Sequence, residues 1–408
     1  MNGGTQCGRA GGPLGVTLTL CLVQMLALSG SLTFQTLIPQ FVEAWGLSNT
    51  EAGWIASVTY VAYAGFAPIL VAMTDRIDAR RIVAASLALS VLAAFGFALF
   101  AEGFWSALVW RLLSGIGVAG SYMPGLKALT DRVEGARQGR YQSFYTATFS
   151  LGSGLSMLQA GIFADLFGLN GAFLASGLVA LLGLPLVWFG IAARNPPAQT
   201  IRQPHLRSFA EVLRHRPTLP FIVAYAGHSW ELFAFRTWLV AFLTALPAMS
   251  LSTGAIATIA TVMVMAGLPA SILGNEIATR LGRRFTLAAM MTASAATALL
   301  LAFTSGGPLP LVLALTSLYA VLVMSDSAAI TVGTIASAPV ERRGATIAVQ
   351  TLMASLMAMI APLACGWSLD LFGGESRWGW GIALAIMGGG ALFGALGVAR
   401  VGGRREKA

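Results

Sequence analysis

Gln24, Gln35, Arg111, His228, Glu231, Arg236 and Asp326 all fall inside stretches that are otherwise strongly apolar. A charge in such a stretch is expensive, so each of these residues is expected to face a partner or a wet cavity rather than hydrocarbon. Imidazole and carboxylate suit the uptake and release of a proton, and guanidinium suits an anionic group. The amides can donate and accept hydrogen bonds without fixing a ligand's charge. Arg111 sits about seven residues into its run, roughly 10 Å deep at the helical rise. His228 and Glu231 are three apart and share a helical face, with Phe235 four beyond Glu231. Glu231 and Arg236, five apart, are poorly placed to pair with each other. Each is expected to meet a partner across a cavity, Glu231 reaching Arg111 being one such pairing. Asp326, between Ser325 and Ser327, suits a cation or an arginine partner. Gln24, Ser31 and Gln35 stand at i, i+7 and i+11 and form a polar stripe if the first run is one helix; Tyr60 and Tyr63 are secondary candidates. The competing readings are a structural arginine paired to backbone carbonyls for Arg111, a buried ion pair that only fixes packing for Glu231 and Arg236, and a satisfied histidine for His228. For the stripe of Gln24, Ser31 and Gln35 it is hydrogen-bonded glue between helices, and for Asp326 a solvated inner vestibule.

The elements that must hold these residues follow from composition. The chain is 56% hydrophobic and 10% charged, with a mean hydropathy of +0.76, against about 25% charged in soluble domains. Apolar runs of about 20 residues, the length that crosses a bilayer, begin near Leu14, Ala52, Ile82, Phe104, Tyr141, Ala172, Leu219, Ala255, Phe285, Leu309, Ala345 and Trp378. Backbone groups in lipid must be satisfied internally, so an all-α polytopic membrane protein of twelve transmembrane helices is expected. The net charge of +9 does not point to nucleic acid, because the basic residues gather in Arg9, in alternate loops and in the tail around Arg404. The positive-inside rule then puts both termini in the cytoplasm, across a bacterial-type inner membrane.

The two halves repeat one another. Asp165-Leu166-Phe167-Gly168 returns as Asp370-Leu371-Phe372-Gly373 at a shift of 205 residues, and Leu47-Ser48 returns as Leu251-Ser252 at 204. The expected division is residues 1–193, a polar linker over 194–217 with several prolines, and residues 218–408. The linker's Arg207 to Arg216 stretch has the composition of a short amphipathic helix or of an ordinary basic loop.

Loop motifs then carry a resemblance. The loop after the second run reads Asp75-Arg76-Ile77-Asp78-Ala79-Arg80-Arg81, and the one after the eighth reads Ala278-Thr279-Arg280-Leu281-Gly282-Arg283-Arg284, preceded by Gly274. Both resemble the Gly-x-x-x-Asp-Arg-x-Gly-Arg-Arg signature of the major facilitator superfamily. Arg111-Leu112-Leu113-Ser114-Gly115-Ile116-Gly117 is similar to its Arg-x-x-x-Gly-x-Gly pattern. The first loop lacks the usual glycine, the second has Thr279 at the acidic position, and Gly152, Gly154 and Gly161 stand without the proline that the family's drug antiporters carry in the fifth helix.

The resemblance implies two pseudo-symmetric six-helix bundles rocking about a mid-membrane site. It further implies a cytoplasmic latch formed by Asp75, Arg76, Arg80, Arg280 and Arg283, and a role for Arg111 in proton coupling or anion binding. The expected function is secondary active transport of a small organic solute, with a proton as coupling ion and the lipid bilayer as surroundings. A sensor or scaffold that kept the fold without transport is the alternative. An enzyme is not expected: the histidines are only His205, His215 and His228, no His-Glu-x-x-His or phosphate-binding loop occurs, and Cys7, Cys21 and Cys365 show no metal or disulfide spacing. No metal and no cofactor is implied.

Overall fold

The computed structural model describes residues 12–133, 135, 138–194, 206–374 and 376–401; the basic residues expected at Arg9 and in the tail at Arg404 lie outside them. The described chain is helical throughout its passes. The first pass is α1 (Pro13–Ala27), α2 (Thr33–Thr36) and α3 (Ile38–Trp45), followed by α4 (Asn49–Met73), α5 (Ala79–Phe100) and α6 (Phe104–Arg132). Next come α7 (Gln138–Leu181), α8 (Gly183–Gly190) and the linker helix α9 (Leu206–Arg214). The second series is α10 (Leu219–Thr244), α11 (Thr253–Leu281), α12 (Arg283–Thr304), α13 (Leu309–Ser325), α14 (Ser327–Ser337), α15 (Arg343–Phe372) and α16 (Arg377–Val401).

Among the described residues eight segments are each long and apolar enough to cross a membrane, and one of them, Gln138–Gly190, holds two passes. Gly168 separates those passes: its φ of 72° lies in the left-handed region that glycine alone enters freely, and it breaks α7 in the middle. Helices α6 and α10, at 29 and 26 residues, are long enough but less apolar, carrying Arg111 and the His228, Glu231 and Arg236 group. Counting the pieces of each broken pass together gives six passes on either side of the linker, starting close to the positions expected from the sequence.

The first pass departs from expectation. The chain leaves the helix between Leu28 and Leu32, so Gln24 lies on α1 and Gln35 on α2, and the polar stripe along one helical face does not form. Unwinding frees the carbonyls of Ser29, Gly30 and Ser31, and all three are taken by side chains. Ser29 O accepts from Ser156 Oγ and Gln159 Nε2, both at 2.6 Å, while Gly30 O and Ser31 O accept from Arg111 at 3.3 and 3.2 Å.

One end of the bundle carries Arg76, Arg80, Arg81, Lys127, Arg132, Arg283 and Arg284; the other carries Glu43, Glu51, Glu102, Asp165 and Asp370. At the acidic end a single apolar core draws on both sets of helices, with Phe34, Phe41, Phe97 and Phe173 from the first and Phe235, Trp238, Phe242 and Trp380 from the second. At the basic end the core is divided. Leu20, Val83, Leu129 and Tyr145 form one cluster and Phe221, Leu287, Met291 and Ile330 another, with no shared residues. The two sets are thus joined at the acidic end and separately packed at the basic end.

Two reciprocal caps close the acidic end. Asp370, at the end of α15, accepts from Asn49 N and Thr50 N, both at 2.8 Å, and also from their side chains, at the start of α4. Asp165, near the end of the first pass of α7, accepts from Gly254 N at 2.9 Å at the start of α11. A carboxylate on the free N–H groups of a helix N-terminus gains both hydrogen bonds and the helix dipole. Gln40 adds a bond to Thr253 at 2.8 Å. Below these caps α7 and α11 touch closely: a Cβ on Gly161 would meet Thr253 O at 3.0 Å and Gly254 Cα at 3.1 Å.

The linker helix α9 seats Val212 with Ile222, Ala345 and Val349, and Glu211 meets Arg342 at 3.2 Å. Its apolar face therefore rests on the second set of helices.

Candidate functional site

Helix α10 presents its polar residues to different neighbours. Its buried sequence from Phe221 to Leu243 is interrupted by His228, Glu231 and Arg236, each nearly inaccessible at 2%, 1% and 5% exposure. His228 Nδ1 lies 2.7 Å from Asp326 Oδ1, at the junction of α13 and α14. Glu231 Oε1 accepts from Ser294 Oγ of α12 at 2.9 Å, and the Tyr319 phenol of α13 faces the same carboxyl. Imidazole, two carboxyls, a serine and a phenol therefore share one interior cluster built from α10, α12 and α13.

Two expectations are corrected here. Asp326 pairs with a histidine, because the end of α13 packs beside the His228 turn of α10. Glu231 does not reach Arg111, because its face of α10 points into the second set of helices, toward Ser294 and Tyr319.

Arg111 instead belongs to the broken first pass. It is 1% exposed and donates to Gly30 O, to Ser31 O and, at 3.1 Å, to Gln35 Oε1. Its Nε has no partner among the described residues, and the residue borders a small cavity of about 20 Å³ that Ser29, Ser90, Ser114 and Ser176 also line. Arg236 makes one contact among the described residues, from Nη2 to Met324 Sδ at 3.8 Å. Tyr60 of α4 lies near Gln35 and both guanidinium groups and packs its ring 4.7 Å from Phe233 of α10. The structure thus brings Gln35, Arg111 and Arg236 around Tyr60, and His228, Glu231 and Asp326 around Ser294.

Gln24 stays apart, accepting from Tyr145 Oη at 3.0 Å inside the first set of helices. Ser294, Tyr319 and Asp165 were not among the residues singled out from sequence for the site or a latch. The repeated tetrapeptide that contains Asp165 and Asp370 was the available signal.

The loop residues make contacts within their own set of helices. Asp75 is half-buried and has no ion pair among the described residues, and Arg76 is exposed. Arg80 donates to Trp188 O and Ile191 O at 3.2 and 2.8 Å and lies 4.6 Å over the Trp188 ring. Arg280 pairs with Glu276 of its own helix at 2.7 Å, and Arg283 donates to Asn275 Oδ1 and Ala329 O, both at 2.9 Å. The acid that organises the first loop is Asp78. It caps α5 through Arg80 N at 3.0 Å, pairs with Arg132 at 2.7 Å and accepts from Arg194 N at 2.8 Å. Burial pushes its carboxyl up, but the Arg194 N–H, the Arg132 guanidinium and the Arg80 N–H outweigh burial and hold it below the usual aspartate range.

This architecture, two six-pass sets around a polar interior, is that of an integral membrane protein of the transporter type. A family profile described as Major Facilitator Superfamily matches residues 20–255, and the chain belongs to that family. A bacterial homologue of the human lysosomal transporter Spinster, solved in an inward-facing occupied conformation, superposes with a TM-score of 0.79 over 95% of both chains at 15% identity. The niacin transporter NiaP of Acinetobacter baylyi is 26% identical over 140 residues, 34% of this chain and 32% of that one. The gallate transporter of Pseudomonas putida is 29% identical over 177 residues, 40% of this chain and 38% of that one. The chain spans about a third of the length of the curated relatives it matches.

Proposed function

We propose that the protein is a secondary transporter that moves a small organic solute by alternating access, driven by a proton gradient. Residues 1–193 and 218–408 act as the two moving halves and 194–217 as their tether. The basic end faces the cytoplasm of a bacterial-type inner membrane, with both termini on that side. The halves are joined at the acidic end and apart at the basic end, which is the inward-facing arrangement. In the opposite state the Asp75, Arg76 and Arg80 loop and the Arg280 and Arg283 loop lock the basic end.

The observation that carries the proton-driven reading is the His228, Glu231 and Asp326 cluster, buried in the interior beside Ser294. Buried ionisable groups at membrane depth mark ion pathways and proton relays. Glu231 is the proton carrier in this reading, with His228 and Asp326 setting the charge around it. The names of relatives that carry niacin and gallate support a small organic solute.

The test uses proteoliposomes under an imposed proton gradient and a library of small organic solutes read by mass spectrometry. Accumulation should require the gradient and vanish with a protonophore. In Glu231→Gln accumulation should vanish while exchange of internal for external solute persists. Full accumulation in that variant would rule out Glu231 as the carrier, and absence of any gradient-driven solute movement in the unmodified protein would favour the sensor reading.

A further inference from the structure

Among the described residues no carboxylate pairs with Arg236, so its charge has no counterion there. It is 5% exposed, yet both nearby acids are engaged elsewhere, Asp326 with His228 and Glu231 with Ser294. Its one hydrogen bond among the described residues goes to a thioether sulfur at 3.8 Å, a weak acceptor for a group with five N–H donors. Arg111 differs, because two carbonyls and the Gln35 amide oxygen already accept from it. A buried, unpaired guanidinium is costly unless something supplies acceptors and negative charge. The surroundings also limit what that something is. The helices around it carry aromatic rings: Tyr60 of α4 packs 4.7 Å from Phe233, and Tyr319 of α13 packs 5.0 Å from Phe235, the residue before Arg236.

We propose that the solute is an organic monocarboxylate, its carboxylate clasped by Arg236 of the second half, with Tyr60 and Arg111 of the first half completing the site around it. One free guanidinium matches one carboxylate in charge and in fork geometry. The aromatic walls take the solute's apolar body. Because the site draws on both halves, a bound carboxylate also offsets the charge that would otherwise oppose their approach. This rests on the transport reading above and names the class of solute.

The test is thermal unfolding of the full-length protein in detergent, with benzoate, octanoate, benzamide, benzylamine and inorganic phosphate compared at equal ionic strength. The carboxylates should raise Tm in a saturable way, and the amide, amine and phosphate should not. Arg236→Gln should weaken the carboxylate response by about 10- to 100-fold, the size of a charge-assisted hydrogen bond. Arg236→Lys, which keeps charge and loses the fork, should weaken it less and decides the matter if the Gln variant does not fold. No response to either carboxylate, an equal response to benzylamine or benzamide, or an undiminished response in either variant overturns the proposal. Binding is read here without membrane or gradient, so its failure is separable from that of the transport reading. A cation moved by the proton gradient sinks the solute class alone, whereas a carboxylate that binds and is never moved sinks transport alone.

Discussion

His228 and Asp326 meet at 2.7 Å in the interior, although they belong to helices almost one hundred residues apart in sequence. Removing one partner of such a buried pair strands the other, at about 3–5 kcal/mol. His228→Asn and Asp326→Asn should therefore each lower Tm strongly, while the double variant should lose much less than the sum of the two. A double variant whose loss equals that sum would show that the two side chains do not depend on each other.

Asp370 holds the acidic end closed through backbone N–H groups of the other half. Asp370→Asn keeps the shape and weakens the cap, which should raise the fraction open at that end about tenfold for a loss near 1.4 kcal/mol. Distances between spin labels at Glu43 and Leu251 would report it, as a broader and longer distribution. An unchanged distribution in both Asp370→Asn and Asp165→Asn would mean that the apolar core alone keeps the end shut.

Gly161 is where α7 and α11 come closest under the second cap. Gly161→Val would drive its side chain into Ala257 and the backbone at Thr253, so the halves should fail to close there. The expected result is a protein of normal abundance whose acidic end stays open, seen as alkylation of a cysteine placed at Gln40. Protection equal to the parent's would contradict the close approach.

Among the described residues Asp75 pairs with no cation, as the proposed latch requires when it is open. Asp75→Asn should leave the unfolding free energy within about 0.5 kcal/mol of the parent's, as for surface changes without special contacts, while slowing solute turnover. Unaltered turnover would reduce the loop to a signal for orientation.

Asp78, by contrast, is engaged now. Its carboxyl is held below the ordinary aspartate value, so it stabilises the fold above the unfolded pKa of about 3.9. That contribution disappears as pH falls through the lower folded value. Asp78→Asn should accordingly lower Tm at pH 7 and flatten the loss of stability on acidification below about pH 4. A variant with the parent's acid profile would assign that loss to other groups.

Most of the architecture could be read from the chain. The apolar runs gave the passes because lipid leaves the backbone no other choice, and the repeated tetrapeptides gave the duplication. The break at Ser29 to Ser31 was not legible, since no proline marks it and the groups that take the freed carbonyls, Arg111, Ser156 and Gln159, come from other helices. Asp326 could be recognised as buried but not assigned to His228, because partner choice depends on how α13 packs on α10. Asp165 and Asp370 were visible as an echo and not as caps, since what each one caps lies in the half that the echo does not describe.

The reciprocity of those caps bears on ancestry. The first half contributes an aspartate and receives one, and so does the second, through the same two sequence fragments. A single six-pass polypeptide carrying one such aspartate and one such helix start could close against a second copy of itself by an isologous contact. The joint between the halves thus has the form of a homodimer interface carried within one chain. Inside it the two copies differ: one holds the unwound carbonyls around Arg111, and the other the cluster on α10.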